Sequence, residues 1–384
     1  MFQGIASAGN KGILLPQALL NQRQFPMAKP LPRTKLALFH VIMWGMIVPP
    51  FLAAAGLLWV SIIAYDIVQH PERHQSTLRV WNIVATNVYY LYEVSMWQSQ
   101  SECVQYDAEL LYKPSSGCHF SNKEYSTEVT FSEDGRLITS RSDAPARPIF
   151  FAGDSDTMGW GVNDDETFAA LIASSVDVPV LNLGVSSYGT VREIQHIQRH
   201  PRFRDANCIV IQYSWNDFDE NEVFLAKGAL PPPTLERFQE LLDHRPRKAT
   251  FTDVMLQTVD LMLKNPVGFF ADVLGWQDFP RDANPLVGSP RKETEDARVF
   301  LAILASFPDL NGKNIFVKGP DPFISALSMH ENLPANVFPM KVSLNYGEWY
   351  TLDMHANKKG HRETATQILE FLRQNAQGKY CLSG

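Results

Sequence analysis

The chain has 384 residues, a formal net charge of −7 and 20% charged residues. That length suits one large domain or two smaller ones. The acidic balance argues against a nucleic-acid partner, because phosphate binding needs a clustered basic surface.

Residues 1–34 are polar and contain proline without a sustained period, which reads as a flexible cytoplasmic tail. From Leu36 to Tyr65 there is no Asp, Glu, Lys or Arg. A helix needs about 20 apolar residues to cross a bilayer, so this run predicts a transmembrane helix over residues 35–66. Pro49-Pro50 should kink it, which membrane helices tolerate. Lys29, Arg33 and Lys35 precede the run, and no positive excess follows it. The positive-inside rule then puts the N-terminus in the cytoplasm and the remainder outside it. The run is too long for a cleaved signal peptide and reads as a signal anchor. A buried hairpin of two short helices is the alternative. His40 reads as an interfacial histidine.

Residues 67–147 form a lead-in. Trp81, Val84, Val88 and Leu91 recur at helical spacing, predicting a juxtamembrane helix. Alternation on either side of Asp134-Gly135 predicts a β-hairpin. The four cysteines, Cys103, Cys118, Cys208 and Cys381, lack metal-ligand spacing. Disulfides are permitted outside the cytoplasm. Cys103 and Cys118 are close enough in sequence to pair, and the sequence leaves that open. Cys208, before an apolar run, reads as a buried thiol, and Cys381 as free.

From Pro148 strands and helices alternate. Strands are predicted at 149–152, 178–183, 208–212 and 314–317, and helices at 166–174, 191–199 and 361–374. Short all-apolar strands between helices indicate an α/β fold with a parallel sheet covered on both faces. Such sheets carry their sites at the C-terminal strand ends. The segment 219–313 is an insertion with predicted helices near 251–263 and 293–305. Its apolar residues Leu256, Val259, Leu263, Phe269 and Phe270 read as packing, with a cleft lid as the alternative.

Four strand ends carry candidate chemistry. Gly153-Asp154-Ser155 turns sharply after a buried strand, which suits a nucleophilic serine. Gly184 lets a backbone N–H approach a substrate, and Asn216 offers a side-chain amide beside Asp217. His355 is the candidate general base, with Asp353 two residues earlier to orient it. His361 reads as a capping or packing histidine. Trp160, Trp215 and Tyr188 flank these blocks, as core aromatics or as platforms for sugar rings.

These blocks, in this order, resemble the SGNH (GDSL) hydrolases, whose motifs carry Ser, Gly, Asn and His. The likeness covers residues 148–218 and 350–373, and Tyr112-Lys113-Pro114 resembles the lead-in of bacterial members. It implies a flavodoxin-like three-layer α/β/α sandwich with a parallel sheet, preceded by one transmembrane helix. It implies Ser155 as nucleophile, His355 as base and Asp353 as its orienter. The oxyanion hole would use the Ser155 and Gly184 N–H groups and the Asn216 amide, with Asp154 and Asp217 in support. Ser214 replaces the usual glycine, and the Asp-to-His spacing is two rather than three. No metal or organic cofactor is implied. The expected protein is a periplasmic, single-pass inner-membrane serine esterase acting on O-acyl or O-acetyl groups of an envelope glycan or lipid. An O-acyltransferase with the same triad, or a non-catalytic glycan-binding scaffold, are the alternatives.

Overall fold

A computed structural model describes residues 33–74, 80–133, 135–139, 146–264, 266, 269 and 293–383. The predicted cytoplasmic tail up to residue 32, Asp134 of the predicted hairpin turn and Phe270 lie outside the described residues. The chain separates into two units, Met1–Ala54 and Ala55–Gly384.

Helix α1 (Arg33–Gln69) continues through Pro49 and Pro50. Its stretch His40–Gln69 is, by length and composition, apolar enough to cross a membrane. From residue 60 onward it gains a buried face: Val60, Ala64, Ile67 and Val68 enter a core shared with α2 (Val80–Val88) and α8 (Phe251–Lys264). That spacing, i, i+4, i+7, i+8, is one helical stripe, and its packing carries the helix beyond the uncharged run to Gln69.

The sheet has eight strands in the order β10-β9-β8-β6-β7-β5-β4-β3. Five are parallel: β6 (Ile149–Ala152), β7 (Val180–Asn182), β8 (Cys208–Gln212), β9 (Asn314–Lys318) and β10 (Val337–Met340). The sheet is therefore mixed where a parallel one was expected. β3 (Gly117–Asn122), β4 (Tyr125–Ser132) and β5 (Gly135–Arg136) extend it antiparallel, joining β7 through the Arg136–Asn182 pair. The physical reason is visible in burial. β6 and β8 are buried at every position, as strands covered on both faces must be. β4 alternates buried with less buried positions, as an antiparallel strand with one wetter face does. A separate antiparallel pair, β1 (Val104–Asp107) and β2 (Leu111–Pro114), lies in the lead-in.

Helices cover both faces of the parallel strands. One core sets Phe150, Ile209 and Val317 against α5 (Thr190–Gln198), α9 (Glu293–Ala305) and α10 (Asp321–Ser328). The other sets Phe151, Val210 and Phe316 against α4 (Phe168–Ala173) and α11 (Lys358–Gln374). The remaining helices are α3 (Ser155–Met158), α6 (Asp217–Lys227), α7 (Leu235–Leu242) and α12 (Ala376–Ser383).

Two disulfides close the molecule, Cys103–Cys118 and Cys208–Cys381. The second corrects the reading of Cys208 and Cys381 as free thiols. Cys208 opens the central strand β8, and α11 with α12 folds back across that face, bringing Cys381 to a Cα separation of 5.9 Å.

Candidate active site

The loops that follow the five parallel strands form one cleft of about 860 Å³. Ser155, Asn216, Lys318 and His355 are among its lining residues.

Ser155 follows β6 and opens the single turn α3, which Asp154 caps by accepting the Asp156 N–H. The Ser155 hydroxyl donates to His355 Nε2 at 2.7 Å. His355 Nδ1–H donates to Asp353 Oδ1 in a short hydrogen bond. The sequence-predicted serine, histidine and aspartate thus meet, 200 residues apart in the case of Ser155 and His355.

Asp353 is fully buried and accepts four further donors. Tyr90 Oη–H lies 2.9 Å from Oδ1, while Trp160 Nε1–H at 2.8 Å, Tyr125 Oη–H at 3.0 Å and Tyr89 Oη–H at 3.4 Å address Oδ2. Burial opposes the charge on this carboxyl, but the His355 cation and these donors more than offset it, and its pKa is lowered. Burial likewise disfavours the imidazolium of His355, yet the Asp353 carboxylate, helped by Asp156 and Asp154, raises its pKa. The indole of Trp160 also stacks on the His355 ring, 4.7 Å between centroids and 15° from parallel. The ring is thus fixed by a face contact as well as by both nitrogens.

The loop bearing Asp353 is held from the β3–β4 turn. Glu124 accepts the N–H groups of Thr351, Leu352 and Asp353 at 2.5, 2.8 and 2.9 Å. Tyr90 Oη accepts the Met354 N–H at 3.0 Å while donating to Asp353. The loop bearing Trp160 is held from β5. The buried guanidinium of Arg136 donates to the carbonyls of Met158, Gly159 and Val162 and to Asp164. Gly159 has φ +89°, and a Cβ there would lie 2.8 Å from Arg136 Nη1, so glycine is required at this close approach.

The other predicted residues sort as follows. Asn216 lines the cleft, and among the described residues its side-chain amide has no hydrogen-bond partner. Asp217 is buried and supports that loop, accepting the Ser214 N–H at 3.2 Å and the Thr190 hydroxyl at 3.0 Å. Gly184 is outside the cleft lining, and its N–H donates to Asn182 Oδ1 at 3.1 Å. A Cβ at Gly184 would lie 2.3 Å from Met158 N, so this glycine lets the β7 loop press against α3. His361 is buried, accepts the Phe168 N–H at 3.2 Å and stacks on the Phe168 ring, and burial pushes its pKa down to about 3. It is a packing histidine. Trp160 and Tyr188 are core residues, whereas Trp215 is 46% exposed and lines the cleft.

Sequence reasoning missed Tyr89, Tyr90, Tyr125, Glu124 and Arg136. Trp160 stands within the serine block, but nothing in that block marks it as a donor to Asp353. The lead-in residues had no local signal, because their partners are more than 200 positions away for Tyr90, Tyr125 and Glu124. Among the described residues no group of three or more His, Cys, Asp or Glu is placed to hold a metal ion. Comparison with known protein families and with curated proteins finds no match for this chain.

Proposed function

We propose that this protein is a serine esterase of the SGNH type, and the observation that carries the proposal is the unbroken Ser155–His355–Asp353 chain at the cleft floor. His355 takes the Ser155 proton through Nε2 as Oγ attacks an ester carbonyl carbon. The carbonyl oxygen becomes an oxyanion, received by the Ser155 N–H at the start of α3 and by the free Asn216 amide. Gly184 N–H joins them only if its bond to Asn182 opens. The imidazolium returns its proton to the departing alkoxide, leaving an acyl-enzyme. Water, deprotonated by the same nitrogen, then attacks the acyl carbon and releases the acid. Asp353 stays ionised and fixes the tautomer throughout.

The strand order β7-β6-β8-β9-β10 supports the flavodoxin-like part of the reading, since it matches the doubly wound order 2-1-3-4-5. Ser155 and Asn216 then flank the switch point between β6 and β8, where such sheets bind ligands. Two disulfides support an oxidising compartment, consistent with α1 as an anchor and the catalytic unit in the periplasm. Exposed Trp215 beside Asn216 supports an acylated carbohydrate as substrate, through stacking on a sugar face.

The test is hydrolysis of p-nitrophenyl acetate and longer esters by the full chain in detergent, beside Ser155→Ala. Hydrolysis reduced at least ~10³-fold in the variant is expected. Full activity in Ser155→Ala rules the reading out. Added sugar acceptors separate hydrolysis from acyl transfer by product.

A further inference from the structure

The outward surface of α8 does not look like the surface of a water-facing helix. Thr252, Leu256, Val259 and Leu263 recur at i, i+4, i+7 and i+11, which is one stripe. Leu256 and Leu263 are 58% and 70% exposed, and neighbouring Met255 is exposed too. The opposite side is already committed, with Val254 and Thr258 buried in the core. Of the two acids on α8, Asp253 is paired with Arg247 and Asp260 with Lys264. The helix is thus apolar on two sides, one of them uncovered among the described residues.

Two contacts orient it. The Tyr65 and Phe251 rings meet at 5.7 Å, and the Ser61 hydroxyl donates to Thr258 Oγ1 at 3.0 Å. As α8 runs forward from Phe251 to Thr258, α1 runs backward from Tyr65 to Ser61, so the two helices pack antiparallel. On α1 itself Leu58, Trp59 and Ile62 are each about half exposed. Trp59 packs edge-on against Trp81 of α2 at 5.3 Å, an aromatic pair of the kind found at membrane–water interfaces. A bilayer core needs about 20 helical residues, whereas the apolar stretch His40–Gln69 has 30. The surplus falls where α8 packs.

We infer that the exposed faces of α8 and of the C-terminal part of α1 form one surface seated in the membrane interface, with lipid as its occupant. The catalytic unit is then docked on the bilayer and not carried on a free tether. Continuity with the span selects lipid over a protein partner. A water-exposed apolar strip of this kind is unfavourable, and acyl chains remove that penalty beside the helix that enters them. The inference rests on α1 as a membrane helix and not on the esterase reading.

The experiment uses the full chain in phosphatidylcholine nanodiscs with a photoreactive benzoylphenylalanine at Leu256, Leu263 or Met329. Met329 follows α10, beside the sheet edge opposite the lead-in, and is 76% exposed. Strong lipid adducts at residues 256 and 263, several-fold above those at 329, are expected. Adducts to protein alone, or lipid labelling at 256 and 263 no higher than at 329, overturn the inference. As a second arm, Leu256→Glu/Leu263→Glu should melt like wild type in detergent yet lose the rise in melting temperature on transfer to nanodiscs. An undiminished rise also overturns it. Ester hydrolysis in detergent, measured alongside, reports on the active site separately.

Discussion

Asp353 and His355 set each other's charge. The buried carboxylate is held ionised by its donors, and its field stabilises the imidazolium, so the histidine pKa is raised above its ordinary ~6.5. The proposed reaction needs the neutral base. We therefore expect kcat/KM to climb with pH and to keep climbing above that ordinary value before it levels off. The stability signs follow. Asp353, with a lowered pKa, contributes stability above its unfolded value that is lost as pH falls through the folded one. His355, with a raised pKa, contributes below its unfolded value and loses that contribution as pH rises through the folded one. Tyr90→Phe removes a 2.9 Å donor from Asp353 and should make the carboxylate a stronger base. His355 then holds its proton more tightly. The kcat/KM midpoint should move up by about half a pH unit, with a loss of at most ~3-fold at pH values below it, as expected for one hydrogen bond to a charged group. An unmoved midpoint with a lowered rate would mean that Tyr90 only supports the loop.

At the scale of elements, the antiparallel extension of the sheet exists to hold loops. β5 contributes Arg136, whose guanidinium satisfies three carbonyls and Asp164 along the segment that carries Trp160. The β3–β4 turn contributes Glu124 to the Asp353 loop. Arg136→Met leaves those acceptors buried without a donor. It should lower unfolding free energy by about 3–5 kcal/mol, read by chemical denaturation, because breaking a buried charge network exposes the full desolvation penalty of what remains. Activity should fall with it, since the Trp160 indole loses its register on His355.

For the whole molecule, the disulfide Cys208–Cys381 closes a separation of 173 residues and ties the last helix to the central strand. Removing it with Cys208→Ala/Cys381→Ala should lower stability by about 3–5 kcal/mol, through the larger conformational freedom of the unfolded chain. The denaturant midpoint is the readout, with the Cys103–Cys118 bridge left intact. An unchanged midpoint would mean that packing of α11 and α12 alone holds the C-terminus.

Much was legible locally. The all-apolar runs at β6, β8 and β9 point to buried strands, and Gly153-Asp154-Ser155 and Asp353-Met354-His355 point to the residues that meet at the cleft, because apolar periodicity and turn composition act over a few residues. β10 carries no clear strand signal because Pro339 interrupts it, which an edge strand tolerates. β3 was too polar to stand out, since its partly buried face is completed only by pairing with β4. The apolar span, the alternation of strands and helices, and the residue types of the proposed triad can be read from the chain alone. It takes the folded chain to bring Tyr89, Tyr90, Tyr125 and Trp160 together on Asp353, to turn the Gly184 N–H to Asn182, and to bring Cys208 to Cys381. Each of the long-range contacts joins residues whose own neighbours carry no trace of the partner. They are set when the lead-in and the C-terminal segment pack against the sheet, and short-range sequence pattern has no term for that.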